Sequence, residues 1–268
     1  MSEGQKNKDF IGLTTKECLD TSVRIFENAN EMYKEAELLA NHGSYGRAVS
    51  LLILSTEERM KALILAMDGH KFKFRKKVPG IKILFNKSHQ MRHALGTVLS
   101  VMYLFTQDLK VAVLKLRDSP KDRTFWNQEK LTPLLLEYFQ KVLPKLIQEI
   151  KWYSEAEFLR QSGIYVDYMG ELKSPSAISK QDFDSVYLRV TNLNDFVSTF
   201  TTLLQEDKNN KSENSILYLR DQFEDQNWYE KIGGLIELFR KKGANPLKAL
   251  AENVQEISES MQNESPDK

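Results

Sequence analysis

The chain has 268 residues, 41% hydrophobic and 28% charged, and its 38 Lys and Arg against 37 Asp and Glu give a formal net charge of +1. That length supports a substantial core in one domain, and the balance demands no polyanionic partner for the molecule as a whole, so any basic surface is local. A single cysteine, Cys18, excludes an intrachain disulfide and a cysteine-rich metal site, while a polar start and interrupted apolar runs offer no export signal or membrane span; the cytoplasm is the expected location.

Residues 1–13 read as a flexible N-terminus. Thr14 followed by Glu17 is a capping box, and Cys18, Val23, Ile25, Phe26, Ala29, Met32, Tyr33, Ala36, Leu38 and Leu39 recur at roughly helical spacing after it. His42, Gly43 and Ser44 form a turn, with Ser44 as the cap of a second helix from about Tyr45 to Met67. A basic connection, "GHKFKFRKKVPG", leads to an apolar-rich stretch from Ile81 to Leu116, read as one long or two broken helices. Pro120 and the tract around Trp126 separate it from a helix over Leu131–Leu159, in which Pro133 suits the first turn and Pro144 forces a kink. The series then breaks at "RQSGIYVDYMGELKSP", residues 160–175. Tyr165 and Val166 favour extended backbone there, and Gly163, Gly170, Ser174 and Pro175 punctuate it. Ile164, Tyr165 and Val166 either plug the end of a bundle or form a functional surface. Ser179 caps a helix through Leu204, residues 206–212 read as a loop, and Ser215–Arg240 carries the next helical pattern, whose Trp228, Tyr229, Ile232, Leu235, Ile236 and Phe239 share one face, placed either to pack inward or to anchor a partner. The expected fold is all-α: an antiparallel helical bundle over 14–205, a helical extension over 206–256 packed on it, and a flexible tail over 257–268.

The second helix is apolar around most of its circumference yet carries Glu57, Glu58, Arg59 and Lys61. At 100° per residue Ala48, Leu51, Ser55, Glu58, Ala62 and Leu65 share one face, which turns Glu58 toward the packed side and leaves Glu57 to pair with Lys61. Such a carboxylate either fixes helix register or orients a base on a neighbouring helix. "NKSHQMRHALG" supplies that base, because His89, Arg92 and His93 lie three and four residues apart and reach one face. Histidine exchanges protons near neutral pH and arginine holds a phosphate through its fork, the ingredients of RNA phosphodiester cleavage without a metal or other cofactor. Zinc held by the two histidines and Glu58 is an alternative that lacks any H-E-x-x-H sequence, and a plain structural histidine pair is another.

From Gly69 to Gln107 there is no Asp or Glu, whereas Lys71, Lys73, Arg75, Lys76, Lys77, Lys82, Lys87 and Arg92 are present. Phe72 and Phe74 alternate with these cations, placed either to stack on unpaired bases while the cations meet phosphates, or to fold the loop onto the bundle. An acidic protein partner fits the same charge.

Three blocks in order, "ANHGSYGRAVSLLILSTEERMKALIL", "NKSHQMRHA" and "LRQSGIYVDYMGELKSP", resemble the bacterial AbiV family of abortive-infection proteins, a branch of the HEPN superfamily, over roughly Thr15–Leu204. The resemblance implies a HEPN-like bundle, often paired as a homodimer, and a role in antiphage defence by stopping growth or protein synthesis. It places Glu58 on the glutamate of the family's "EE" helix and His89 on its later histidine, with Arg92 as the basic residue that follows. Tyr165 and Asp167 belong to its "YVD" turn, and Pro175 closes that block. Active HEPN ribonucleases carry an arginine separated from their histidine by four to six residues. Here Lys82 stands in for it before His89 and Lys87 before His93, without the bidentate fork. The implied function is an endoribonuclease with Glu58, Lys82, His89, Arg92 and His93 as its machinery, and Lys71, Phe72, Lys73, Phe74, Arg75, Lys76, Lys77 and Lys87 as its RNA contacts. The alternative is a noncatalytic protein that binds a phage or translation component through aromatic anchors such as Tyr165.

Overall fold

The computed structural model describes residues 9–85 and 144–206, apart from positions 146, 154, 169 and 171, together with Arg92, Gly96, Ser100 and scattered positions between Arg220 and Glu237. Helix α1 spans Thr15–Asn41 behind the expected capping box: the Thr14 amide donates to Glu17 Oε2 at 2.7 Å and the Glu17 amide to Thr14 Oγ1 at 3.3 Å. Gly43 takes the left-handed conformation at φ +76°, and α2 follows over Tyr45–Gly69. Ser44 does not cap α2 with its side chain. Its backbone, at φ −86° and ψ 58°, is bonded back to the Leu39 carbonyl and is not in the extended conformation that aims a hydroxyl at the first-turn amides.

Helix α2 is the centre of the molecule. Leu52, Ile53, Met60 and Leu65 are at most 1% exposed, each worth ~1.5–3 kcal/mol of transfer free energy against an exposed side chain. Its neighbours are α1 on one side and α5, Lys180–Glu206, on another. Ser179 starts α5 as expected, accepting from the Asp182 amide at 3.2 Å while its own amide donates to Asp182 Oδ2 at 2.8 Å. Two polar ties join α1 to α5: Tyr33 Oη to Thr191 Oγ1 at 2.6 Å, and Tyr187 Oη donating to Glu37 Oε1 at 2.7 Å. Helical residues 147–153 and 155–162 add Ile150, Trp152, Tyr153 and Ala156 to the core. Short helices α3, Phe74–Lys77, and α4, Lys82–Phe85, follow α2. Most of Ile81–Leu116, the breaks at Pro120 and Pro133, and Trp228 lie outside the described residues.

The excursion after the helix that ends at 162 is extended, as its residues predicted. Strand β1, Asp167–Tyr168, pairs antiparallel with β2, Leu172–Lys173, in the register Asp167–Lys173 and Tyr168–Leu172, across a turn with Gly170 at φ +83°. A 3-10 turn at Pro175–Ala177 leads into α5. The all-α class therefore holds, with one small hairpin. None of the described helices is long and apolar enough to cross a membrane.

Candidate functional site

Glu57, not Glu58, is the inward carboxylate of α2. Glu57 is 1% exposed and accepts from Arg92 Nη1 at 2.8 Å, and Arg92 itself is 7% exposed. Arg160 Nε stands 3.9 Å from the other Glu57 oxygen, and its guanidinium grips Glu157 at 3.1 and 2.7 Å. That hydrogen-bonded grip, ahead of any Coulomb effect, raises the Arg160 pKa further above its usual range. Glu58 instead pairs with Lys61 at the half-buried margin. The correction follows from α2 being enclosed nearly all round: a face drawn at 100° per residue cannot tell which carboxylate meets a cation from another segment, and an unpaired buried carboxylate would be far costlier than a paired one. Arg92 is thereby committed to Glu57 inside the protein, away from any phosphate at the surface.

The basic connection also divides into inner and outer residues. Phe72 is 0% and Phe74 5% exposed, and the Phe74 ring meets Tyr229 edge-on at 5.4 Å; both are core residues and cannot stack on bases. Arg75 is likewise internal, bound to Asp68 at 2.5 Å, to the carbonyls of Phe10 and Leu13, and to Cys18 Sγ at 2.7 Å. It pins the segment before α1 to the end of α2 from the interior. Left-handed backbone at Lys71, φ 67°, and Lys73, φ 65°, turns successive side chains to opposite sides, and Asp68 fixes the reversal by accepting the Phe74 and Arg75 amides. Lys71, Lys73 and Lys76 consequently face solvent, as does Lys82 at the start of α4. Lys77 binds Glu224 at 2.5 Å and sits 5.0 Å above the Tyr229 ring. Tyr229 donates its hydroxyl to the Phe72 carbonyl at 2.5 Å, and burial pushes its pKa up to about 12. Lys87, His89 and His93 lie outside the described residues. Among the described residues no group of His, Cys, Asp and Glu is arranged to hold a metal ion.

The aromatic turn does not plug the bundle. Tyr165 is 62%, Val166 66%, Tyr168 72% and Leu172 67% exposed. The nonhelical excursion is where the residues placed it, although the strands fall at Asp167–Tyr168 and Leu172–Lys173 and not at Tyr165 and Val166, and the docking of its two ends decides where the side chains go. Gly163 lies against the Gly46 carbonyl and the Ser50 hydroxyl, and Gly46 lies against the Pro175 backbone, so closely that a Cβ at either glycine would collide. Ser50 Oγ also donates to the Arg160 carbonyl at 2.7 Å. With both feet clamped on the first turns of α2, the residues between them loop outward. Asp167 serves the turn locally, accepting the Tyr168 amide at 2.8 Å, and Lys173 lies 5.8 Å above the Phe158 ring.

Three sequence blocks thus meet in space: Gly46, Ser50 and Glu57 from the first, Arg92 from the second, and Arg160, Gly163 and Pro175 from the third. The family model described as AbiV, of the HEPN type, matches residues 17–193. The chain belongs to the AbiV family. No curated protein and no solved structure matches it. The AbiV match contains nearly all of α1, all of α2, the Glu57–Arg92–Arg160 cluster and the hairpin, and it reaches well into α5, which makes the helical assembly a HEPN-like bundle and links the chain to abortive infection at the level of the family. Sequence reasoning missed the roles of Glu57, Glu157, Arg160, Gly46 and Gly163. The usable signals were the Glu157–Arg160 spacing of a helical ion pair and two glycines inside blocks otherwise rich in large side chains.

Proposed function

We propose that this chain is a cytoplasmic abortive-infection effector that recognises a protein of the phage or of the translation apparatus through its 164–173 hairpin. The observation that carries this reading is the outward display of Tyr165, Val166, Tyr168 and Leu172 on a hairpin whose feet are locked to α2. Large apolar and aromatic side chains on a preorganised support are the usual anchors of protein recognition, since little conformational freedom is left to lose on binding. A cell-free translation reaction tests it. The wild-type chain is expected to suppress synthesis, the Tyr165→Ser, Tyr168→Ser, Leu172→Ser triple variant to leave it running, and His89→Ala to suppress it like wild type. Suppression by the triple variant at full strength would sink the reading.

A second reading, the metal-independent endoribonuclease, is favoured by the solvent-facing Lys71, Lys73, Lys76 and Lys82. In it His89 moves the proton, with His93 as the secondary candidate, and Lys82 supplies charge to the phosphorane. Incubation of RNA in chelator with analysis of product ends decides it. If His89 is the acid-base group, His89→Ala slows cleavage by ~100-fold or more. A homodimer belongs to both readings on the strength of the family, and sedimentation that finds only monomer at micromolar concentration removes it.

A further inference from the structure

The basic connection and residues 220–224 line a cleft that the hairpin reading does not use and that shares Lys71 and Lys73 with the ribonuclease reading. It measures about 410 Å³ and is lined by Lys71, Lys73, Arg220, Asp221 and Glu224, which falls in the size range of small-ligand sites, roughly 300–1,000 Å³. Its first wall is unusual in its backbone. Lys71 and Lys73 both hold left-handed conformations that residues with a Cβ adopt reluctantly, on either side of a fully buried Phe72. Both lysines line one cleft, and Arg220 lines it with them.

The charges in the cleft are not equivalent. Glu224 is engaged by Lys77 at 2.5 Å, and that contact keeps its carboxyl below the usual range. Lys71, Lys73 and Arg220 form no ion pair among the described residues, although Lys73 and Arg220 add to the positive field that Lys77 sets on Glu224, and all three share the cleft with Asp221. A continuous nucleic-acid strand fits this arrangement less well, because Asp221 in the wall repels one of its successive phosphates. A compact ligand with a dianion at one end and hydroxyl donors at the other fits well: the phosphate meets the three cations, and the hydroxyls donate to Asp221.

We propose that this cleft binds a small phosphate monoester bearing hydroxyl groups, of the sugar phosphate or nucleoside monophosphate class. The site is separate from the hairpin and does not depend on RNA cleavage, so its failure would leave both functional readings standing.

Isothermal titration of the full chain with ribose 5-phosphate, adenosine monophosphate and ribose tests the proposal. Both phosphates are expected to saturate and ribose is not; equal affinities assign recognition to the sugar phosphate, and tighter adenosine monophosphate assigns it to the nucleotide. Lys71→Asn and Lys73→Asn remove the charge while keeping a residue that tolerates left-handed backbone, and Arg220→Gln removes the third cation. Each should weaken binding by about tenfold, the loss of one charge-assisted hydrogen bond, while Lys34→Gln on the exposed face of α1 should not. Circular dichroism confirms that each variant keeps its helices. Absence of saturation by either phosphate, equal binding of ribose, or undiminished affinity in the three cleft variants would overturn the proposal. So would single-stranded RNA binding through these three residues while neither monoester saturates.

Discussion

A carboxylate in the middle of the central helix, 1% exposed, is tolerable because Arg92 neutralises it at 2.8 Å and Arg160 adds a second positive charge at 3.9 Å. Removing one member of such a pair strands the other in the interior. Glu57→Ala or Arg92→Ala is therefore expected to lower unfolding free energy by ~3–5 kcal/mol in urea titrations. Glu58→Ala, which breaks only the marginal pair with Lys61, should lose no more than ~1 kcal/mol. Equal losses would contradict this separation of the two carboxylates, and a larger loss at Glu58 would reverse it. Helical periodicity alone could not have separated them, because the deciding partner lies on another segment. Cys18 offers a second residue-level test. Burial raises its thiol above the usual value of 9.0, outweighing the opposing charge of Arg75. The protonated thiol is favoured in the folded state, so the stability tied to this group is intact below pH 9.0 and is lost as pH rises through the raised native value. Cys18→Ala should flatten the alkaline decline in melting temperature, and in the wild type alkylation of Cys18 should proceed only as fast as the protein opens. Rapid alkylation of the folded chain would contradict this burial.

Local signals specified the elements well where both partners sit within one turn. Thr14 with Glu17 and Ser179 with Asp182 are reciprocal caps that can be read from spacing, and both are present. Ser44 has the right chemistry but the wrong backbone, set by the preceding turn's bond to Leu39, and no composition rule carries that information. Thr14→Ala should cost about 1 kcal/mol of stability, and Ser44→Ala less than about 0.5 kcal/mol; thermal melts of the two variants give the comparison directly. The hairpin shows the same division. The break from helix was legible in Gly163, Tyr165 and Val166, although the paired residues are Asp167–Tyr168 and Leu172–Lys173, whereas its outward display depends on Gly46 and Gly163, two close approaches distant in sequence. Gly46→Ala or Gly163→Ala should destabilise by ~1–3 kcal/mol, because the atoms a new Cβ would meet include backbone that cannot swing aside. A neutral effect at both positions would mean that the hairpin is not clamped as described.

At the scale of the molecule, the bundle was legible because long amphipathic and apolar stretches each specify a helix, and short turns force neighbours to pack. The candidate site was less so. The alternating Lys and Phe of the basic connection suggested cations and stacking rings together, yet the left-handed residues send the rings into the core and leave the cations outside. Arg75 and Arg92, two of the strongest phosphate-binding candidates by residue type, are consumed by Asp68 and Glu57. Among the described residues of the AbiV match the surface carries a set of lysines and an apolar hairpin, and the hairpin is held outward by the close approaches at Gly46 and Gly163. The most direct measurement of its role is the efficiency of plating of a phage against which the wild-type chain protects, on cells expressing the Tyr165→Ser, Tyr168→Ser, Leu172→Ser variant or His89→Ala at matched levels. Plating on the hairpin variant is expected to rise to that on cells without the chain while His89→Ala still protects. Undiminished protection by the hairpin variant, with a melting curve matching wild type, would contradict it.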